Sequence, residues 1–247
     1  MTGELSVGIA GALDHAIVAR LAPHLEQLGF STLWVNDTPE GDALAALAVA
    51  AEYTERLRLA VGVIPMDRRP PAAILAALAE RGLPEDRLVL GVGSGSRRGP
   101  GMLAAVRAEV DALRGGTSAP VMLGALGPRM RRLAAEAADG VLLSWLAPEG
   151  ALAIAREFDT TTAIYVRAAF DPAARSRLDA EAARYAGYPS YAAHFEREQL
   201  TPLDTAIDRD ASRIAAYRDA VDEVVLRAVV ADETEVDYLA FAEAAAS

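Results

Sequence analysis

The segment Arg87-Leu-Val-Leu-Gly-Val-Gly-Ser-Gly-Ser96 joins a short apolar run to three alternating glycines. Leucine and valine at successive positions predict a strand that is buried on both faces, as in a parallel sheet. Glycines at the end of such a strand let the backbone approach a flat or anionic ligand closely, because they carry no Cβ atom. The segment therefore predicts a buried strand of an α/β fold that ends in a ligand-binding turn.

Two common motifs do not fit this turn. A dinucleotide-binding fingerprint needs a third glycine where Ser96 stands. A hydrolase nucleophile elbow needs glycine two residues before its serine, where Val92 precedes Ser94. A tight turn without a ligand is the remaining structural alternative.

Further β-rich runs lie on both sides of this strand, and each is followed by a segment with helical spacing. Eight βα units predict a (β/α)8 TIM barrel that forms a single domain over residues 1–247. An open doubly wound sheet is the alternative, because periodicity does not prove closure. The predicted strands are Leu5–Ala10, Thr32–Asn36, Leu57–Val63, Arg87–Val92, Pro120–Gly124, Gly140–Trp145, Thr161–Ala168 and Glu223–Val229.

Glycine and proline set the boundaries of the predicted helices. Gly29 ends the first helix, Pro70 and Pro71 open the third, and Pro128 lies in the first turn of the fifth. Residues 170–220 contain several tyrosines and predict one or more extra helices before the last strand. The first helix has an apolar stripe of helical period, formed by Ile17, Leu21, Leu25 and Leu28. The fifth has another, formed by Met130, Leu133, Ala134 and Ala137.

The composition excludes several kinds of chemistry. The chain has no Cys, which excludes disulfides, thiolate metal sites and thiol nucleophiles. All 24 Lys-or-Arg positions are Arg, which excludes Schiff-base chemistry and the lysine of a P-loop. The net charge of −11 argues against a nucleic-acid partner.

Metal, secretion and membrane functions are not expected either. The three histidines, His15, His24 and His194, do not have metal-ligand spacing. The first ten residues do not resemble a secretory signal, and no apolar stretch is long enough to span a membrane. We therefore expect a cytoplasmic protein with a small-molecule substrate and no membrane partner.

A second glycine-rich turn follows the predicted fifth strand. Gly124 and Gly127 lead into a helix that Pro128 opens. Free amides at a helix N-terminus favour a phosphate or a carboxylate, and Arg129 or Arg131 would add positive charge. The alternative is that Gly-Pro simply starts the helix.

Candidates for proton transfer lie after the first two strands. Asp37 follows the second strand, where barrel active sites lie, and is the first candidate. Alternatively, Asp37 or Thr38 caps the next helix. His15 follows the first strand and is the second candidate, with a surface position on the helix as its alternative.

Four arginines follow the third and fourth predicted strands and would border the same rim. They would attract an acidic ligand, or else pair with surface carboxylates. These residues are Arg68, Arg69, Arg97 and Arg98.

Segments along most of the chain together resemble the luciferase-like monooxygenase superfamily, and particularly its deazaflavin (F420)-dependent oxidoreductases. Their order and spacing carry the resemblance more than any one of them does. The segments are Leu28–Val35, Leu57–Val63 with Arg69–Pro71, Arg87–Gly95, Leu123–Met130, Ala137–Leu143 and Val221–Leu226.

The resemblance implies a barrel that holds F420, or alternatively FMN, at its C-terminal face. Asn36 and Asp37 would border the cofactor, and Gly62–Val63 match the place where many relatives carry a bulged, non-prolyl cis peptide. The residues beside the ring or ribityl chain would be Gly91, Gly93, Ser94 and Gly95. The residues that receive the phosphate would be Gly124, Ala125, Leu126, Gly127, Pro128, Arg129 and Met130.

The implied activity is hydride transfer between C5 of F420 and a carbon of a small organic substrate, in a homodimer. Two other functions fit the same segments: an FMN-dependent monooxygenase, and a barrel that binds a flavin-like molecule without turnover. The sequence departs from the family after strand two, where Asn36-Asp37 replaces a frequent His. Between strands four and five only 96–119 remain of a usually longer connection, which implies an open or reduced site.

Overall fold

A computed structural model of the chain describes residues 2–208 and 212–247. Its strands form one closed barrel in the order β1 to β7 and then β9, which pairs with β1 again. The pairings within the barrel are parallel, so the predicted (β/α)8 barrel is confirmed and the open sheet is excluded. The strands are β1 Glu4–Ala10, β2 Thr32–Asn36, β3 Arg58–Pro65, β4 Leu88–Gly93, β5 Val121–Gly124, β6 Gly140–Ser144, β7 Thr161–Ala169, β8 Ile207–Asp208 and β9 Glu223–Ala228.

Two features of the sheet differ from the prediction. Strand β3 continues to Pro65, beyond the predicted end at Val63, because a bulge between Val61 and Ile64 shifts its register against β4. The two-residue strand β8 was not predicted and adds to β7 at the barrel rim. A two-residue strand is too short to show an alternating pattern.

The helices begin and end largely where proline and glycine predict. Gly29 is the C-cap of α1 with a left-handed φ of 83°, which favours glycine. Pro70 is the N-cap of α3, and Pro128 is the first residue of α5. The helices are α1 His15–Leu28, α2 Ala43–Glu52, α3 Pro71–Arg81, α4 Met102–Arg114, α5 Pro128–Ala137, α6 Pro148–Glu157, α7 Arg175–Ala186, α8 Pro189–Glu198, α9 Ser212–Arg218 and α10 Glu235–Ala246.

The apolar core has two parts. The larger part lies between the helices and the outer face of the barrel, and in α1 it centres on Val18, Leu21 and Leu25, with Ile17 at its edge. The smaller part fills the barrel interior and includes Trp34, Ala60, Met122, Leu142, Ala163, Tyr165 and Val225. No described helix has the length and apolar character needed to cross a membrane.

A buried glutamate occupies the N-terminal end of the barrel interior. Glu223, the first residue of β9, accepts hydrogen bonds from Ser6 Oγ at 2.5 Å and Trp34 Nε1 at 2.8 Å. Arg58 Nη2 lies 3.5 Å from the second carboxylate oxygen. These contacts join β9 to β1, β2 and β3, whereas a large cavity lies at the opposite end.

Candidate active site

A cavity of about 770 Å³ lies at the carboxyl ends of the strands, and we call it the glycine-lined cleft. It brings together both glycine-rich turns and the end of β2, as predicted. The predicted residues that line it are Asn36, Asp37, Gly62, Val63, Gly93, Ser94, Gly95, Gly124, Ala125, Leu126, Gly127, Pro128, Arg129 and Met130.

Two predicted site residues are not among its lining. A Cβ atom on Gly91 would lie 2.0 Å from the Val61 carbonyl oxygen, so this glycine makes room for the bulge of β3 rather than for a ligand. His15 is exposed at the start of α1, directly after the N-cap Asp14. His15 therefore takes the surface position on the helix that was its alternative, and it does not line the cleft.

The bulge of β3 forms part of the cleft wall. The Gly62–Val63 peptide bond is cis, at the position to which the resemblance pointed. Asn36 Nδ2 donates a hydrogen bond to the Gly62 carbonyl oxygen. The Val63 side chain faces Gly93 and Gly124, on which Cβ atoms would lie 3.0 and 3.1 Å from its methyl carbons. These two glycines thus serve the packing of Val63 as well as the shape of the cleft.

Tyr165, in the middle of β7, is a site residue that the sequence analysis missed. Its side chain packs against Gly62, where a Cβ atom would lie 2.5 Å from its ring, and its hydroxyl has no hydrogen-bond partner among the described residues. The residue is only 4% exposed, and burial raises the pKa of its phenol well above the usual value. The hydroxyl therefore stays protonated. Asn36 Oδ1, also on the cleft, is likewise buried without a described partner.

Asp37 is held by two donors. Its carboxylate forms an ion pair with Arg68 and accepts a hydrogen bond from the Ala43 amide at 3.1 Å. The N-cap of α2 is Asp42, and Asp37 contributes to the capping because it binds the amide of the first residue of the helix, whereas Thr38 does not. With a partner on each oxygen, Asp37 is better placed to hold the β2–α2 loop than to accept a proton.

Most of the rim arginines pair with carboxylates. Arg69 donates two hydrogen bonds to Asp42, at 3.1 and 3.0 Å. Arg97 pairs with Glu109, and Arg98 donates to the Arg97 carbonyl oxygen at 2.7 Å. The alternative of surface pairing is therefore correct for Arg68, Arg69 and Arg97, although Arg97 and Arg98 also line the cleft.

The second glycine-rich turn presents free amides to the cleft. Neither Leu126 nor Gly127 donates its amide to a described acceptor, and the same holds for Arg129 in the first turn of α5. Arg129 is exposed on the cleft wall, whereas Arg131 is buried and pairs with Glu198 at 2.9 Å. Arg197 also lines the cleft and donates to the Leu126 carbonyl oxygen at 2.8 Å. This end of the cleft can bind an anion.

A buried arginine also lines the cleft. Arg167, on β7, donates to Ser144 Oγ at 2.7 Å and to Glu181 Oε1 at 3.0 Å. Its guanidinium carbon lies 3.9 Å from the centre of the Trp145 ring and 4.7 Å from that of Tyr185. Tyr165 and Arg167 lie two residues apart in the predicted seventh strand. Side chains at this spacing point to the same face of a strand, so the sequence could have shown that both face the barrel interior.

The described residues contain no group of three or more His, Asp or Glu side chains arranged to hold a metal ion. The cleft instead offers glycine-lined walls, free amides at the start of α5 and buried polar atoms without described partners. A cofactor with a flat ring and an anionic tail fits these features.

Comparison with known proteins supports the resemblance. Residues 8–99 match the family model of luciferase-like monooxygenase. One relative is a protein of Mycobacterium tuberculosis (strain ATCC 25618 / H37Rv) with the provisional name coenzyme F420-dependent oxidoreductase. It is 28% identical over 275 residues, and the match covers 89% of this chain and 79% of the relative's chain. The sequence resemblance to luciferase-like proteins is therefore confirmed.

Solved structures share the fold at low identity. An F420-dependent secondary alcohol dehydrogenase in complex with an F420-acetone adduct has a TM-score of 0.76 at 16% identity, covering 99% of both chains. The F420-dependent tetrahydromethanopterin reductase of Methanopyrus kandleri has a TM-score of 0.67 at 16% identity, covering 98% of both chains. An FMN complex of a type II Baeyer–Villiger monooxygenase from Pseudomonas putida has a TM-score of 0.70 at 10% identity, covering 100% of this chain and 98% of its own.

Proposed function

We propose that this luciferase-like chain is an F420-dependent oxidoreductase that transfers a hydride between the cofactor and a small organic substrate. The observation that carries the proposal is the glycine-lined cleft, which joins the cis Gly62–Val63 bulge to the free amides at the start of α5. The names of the mycobacterial relative and of two structural neighbours support F420 as the cofactor.

The residues of the cleft fit such a cofactor. The backbone at Gly62–Val63 and Gly93–Gly95 would lie against the ring and ribityl chain, and the amides of Gly127 and Arg129 would receive the phosphate. When bound, F420 supplies a hydride donor or acceptor carbon at C5. The protein's own part is to hold the substrate carbon near that position and to exclude water.

Tyr165 is the group that we assign to hydrogen bonding at the reacting centre, in place of Asp37 and His15. Its protonated hydroxyl has no described partner and can donate a hydrogen bond to the cofactor ring or to a substrate oxygen. Asn36 holds the Gly62 carbonyl with its amide nitrogen and keeps its own carbonyl oxygen available as an acceptor.

Fluorescence titration of the purified protein with F420 and with FMN tests the proposal. We expect F420 to bind more tightly than FMN. Arg129→Glu should weaken F420 binding about tenfold, because a repelled phosphate loses on the order of 1.4 kcal/mol. Arg156→Glu, at an exposed position on α6 outside the cleft lining, is the matched control and should leave affinity unchanged.

The other outcomes separate the competing functions. Tighter binding of FMN would favour the monooxygenase, to which the similarity with the FMN complex also points. Tight F420 binding without turnover of any alcohol, aldehyde or enone would favour a non-catalytic binding protein. Binding of neither cofactor at tens of micromolar would refute all three.

The assembly and location of the protein are further parts of the proposal. We propose a cytoplasmic homodimer that forms through the outer helices, on which the apolar side chains of Tyr53 and Val236 are exposed. Sedimentation equilibrium tests the dimer, and cell fractionation with an antibody tests the location. A monomer at micromolar concentration would refute the first.

A further inference from the structure

A second cavity, of about 470 Å³, lies beside the glycine-lined cleft. Asn36, Thr38 and Tyr185 belong to the walls of both cavities, so the two spaces adjoin. The second space also touches the ends of β1 and β9 and one side of α7. We call it the arginine cavity, because Arg177, Arg184 and Arg227 line it.

The charges of the arginine cavity do not cancel. Three glutamates, Glu40, Glu181 and Glu233, face its three arginines. Glu233 pairs with Arg177 at 2.6 Å, and Glu181 pairs at 3.0 Å with Arg167, which lines the neighbouring cleft. Two arginines, Arg184 and Arg227, remain opposite one exposed carboxylate, that of Glu40. With Arg167 counted, four arginines face three glutamates, so the cavity and its shared wall have an excess of one positive charge.

Arg227 places this excess charge inside the barrel mouth. It lies beside Arg167 in the register of β9 and β7, and it lies on the same face of its strand as the interior residue Val225. Two cations side by side on neighbouring strands repel each other unless an anion lies between them. Among the residues that the structure describes, Arg227 donates to the Ala228 carbonyl oxygen alone, and no carboxylate forms an ion pair with it.

The pKa of Glu181 agrees with this excess of positive charge. Burial raises the pKa of Glu181, yet its pKa lies below the usual value because the charges of Arg167, Arg227 and Arg184 and the hydrogen bond from Arg167 together outweigh burial. The surroundings of Arg227 and Arg167 thus favour a negatively charged group.

We propose that the arginine cavity binds the carboxylate of an acidic organic substrate, with Arg227 as its main partner and Arg184 at the rim. The inference rests on the proposed function, because it places the substrate's reacting carbon at the shared wall of Asn36 and Tyr185. A single excess charge matches a carboxylate better than a dianionic phosphate. A guanidinium also offers paired donors that fit a carboxylate's two oxygens.

A matched pair of aldehydes tests this directly. 4-Formylbenzoate and 4-formylbenzamide have nearly the same shape and differ in charge at the end far from the aldehyde. Calorimetric titration without any cofactor should show the acid binding about tenfold more tightly than the amide, as one charge-assisted pair predicts. The preference should shrink as salt is added.

Variants assign the preference to a residue. Arg227→Gln should reduce the preference to about twofold or less, and Arg227→Lys should restore part of it. Arg156→Gln, exposed on α6, should keep the wild-type ratio. Circular dichroism of each variant establishes that the fold is intact. Equal binding of acid and amide by the wild type, or an unchanged preference in Arg227→Gln, would overturn the inference.

The same preparations separate this inference from the proposed function. If F420 fails to bind but the acid preference depends on Arg227, the anion site stands and the proposed function fails. If F420 binds and the acid preference is absent, the proposed function stands and the anion site fails. With reduced F420 supplied, a hydride passes to the aldehyde carbon and a proton to its oxygen, giving the alcohol and oxidised F420. Arg227→Gln should then raise KM for the acid and leave that for the amide unchanged.

Discussion

At the scale of single residues, the candidate site contains a polar group that folding alone does not explain. The Tyr165 hydroxyl is buried without a described hydrogen-bond partner, next to Gly62 and the edge of the Trp34 ring. A buried hydroxyl without a partner costs about 1–3 kcal/mol of stability. If a bound ligand supplies the missing acceptor, as the proposed function requires, stability and binding should respond to the removal of the hydroxyl in opposite directions.

Tyr165→Phe tests this opposition. The variant keeps the ring that fills the space beside Gly62 and loses only the hydroxyl, so we expect the cofactor-free protein to gain up to about 1 kcal/mol in free energy of unfolding. Cofactor affinity, or turnover if the hydroxyl meets the substrate, should fall about fivefold, as expected for the loss of one hydrogen bond of about 1 kcal/mol. Urea unfolding and fluorescence titration measure the two effects. A variant that is less stable and binds normally would contradict the assignment.

Site residues that act through their backbone are easier to predict from the sequence than those that act through their side chains. The turns at Gly93 and Gly124 could be predicted, because glycine after a buried strand has few other uses. The partners of Asp37 could not, because Arg68 reaches it from the next βα unit and Asp42 takes the capping role five residues later. The prediction for Gly91 was wrong because the backbone of the β3 bulge, and not a ligand, occupies the space beside this glycine.

At the scale of secondary structure elements, the strands were predictable to within about two residues at most ends, because strands buried on both faces read as short apolar runs between helical segments. Helices α7 and α8 were predicted only as a region. Their role depends on contacts far apart in sequence, which periodicity does not reveal. The clearest of these contacts is that of His194, which fixes α8 to the end of β6.

His194 is fully buried between α8 and β6. Arg197 Nη2 lies 2.8 Å from its Nδ1, and its Nε2 lies 2.7 Å from the Trp145 carbonyl oxygen. Because an arginine can only donate, Nδ1 is the acceptor and Nε2 carries the proton. Burial lowers the pKa of His194, and the nearby Arg131 and Arg197 lower it further, although the hydrogen bond to Trp145 and the charge of Glu198 oppose them. The neutral ring is therefore the form that holds α8.

The lowered pKa of His194 makes the stability of the protein depend on pH. The unfolded chain binds the His194 proton near pH 6.5, whereas the folded protein does so only at lower pH. The stability from this residue is thus full above about pH 6.5 and falls as the pH decreases below it. Urea unfolding between pH 7.5 and 5.5 should show a smaller loss of stability for His194→Gln than for the wild type. The exposed His15→Gln is the control and should follow the wild type; a His194→Gln curve parallel to it would contradict this role.

At the scale of the whole molecule, the barrel closes where the last barrel strand meets the first. Strand β9 pairs with both β1 and β7, and its first residue, Glu223, binds side chains of β1, β2 and β3 across the barrel interior. The sequence predicted all eight barrel strands but not this polar cluster, because Ser6, Trp34, Arg58 and Glu223 are far apart along the chain. If residues 1–247 form one domain, the loss of this cluster should weaken the entire barrel at once.

Glu223→Ala and Glu4→Ala provide a matched test of that cooperativity. Glu223→Ala leaves Ser6 and Trp34 without their buried acceptor and should cost about 3–5 kcal/mol, as expected when one partner of a buried ionic cluster is removed. Glu4 contacts the same Arg58 from an exposed position, so Glu4→Ala should cost less than about 1 kcal/mol. Far-ultraviolet circular dichroism and tryptophan fluorescence should give coincident denaturant curves for each variant, since Trp34 lies inside the barrel and Trp145 at its mouth. Separate transitions would show that the chain does not unfold as one domain, and equal costs for the two variants would show that Glu223 does not hold the closure.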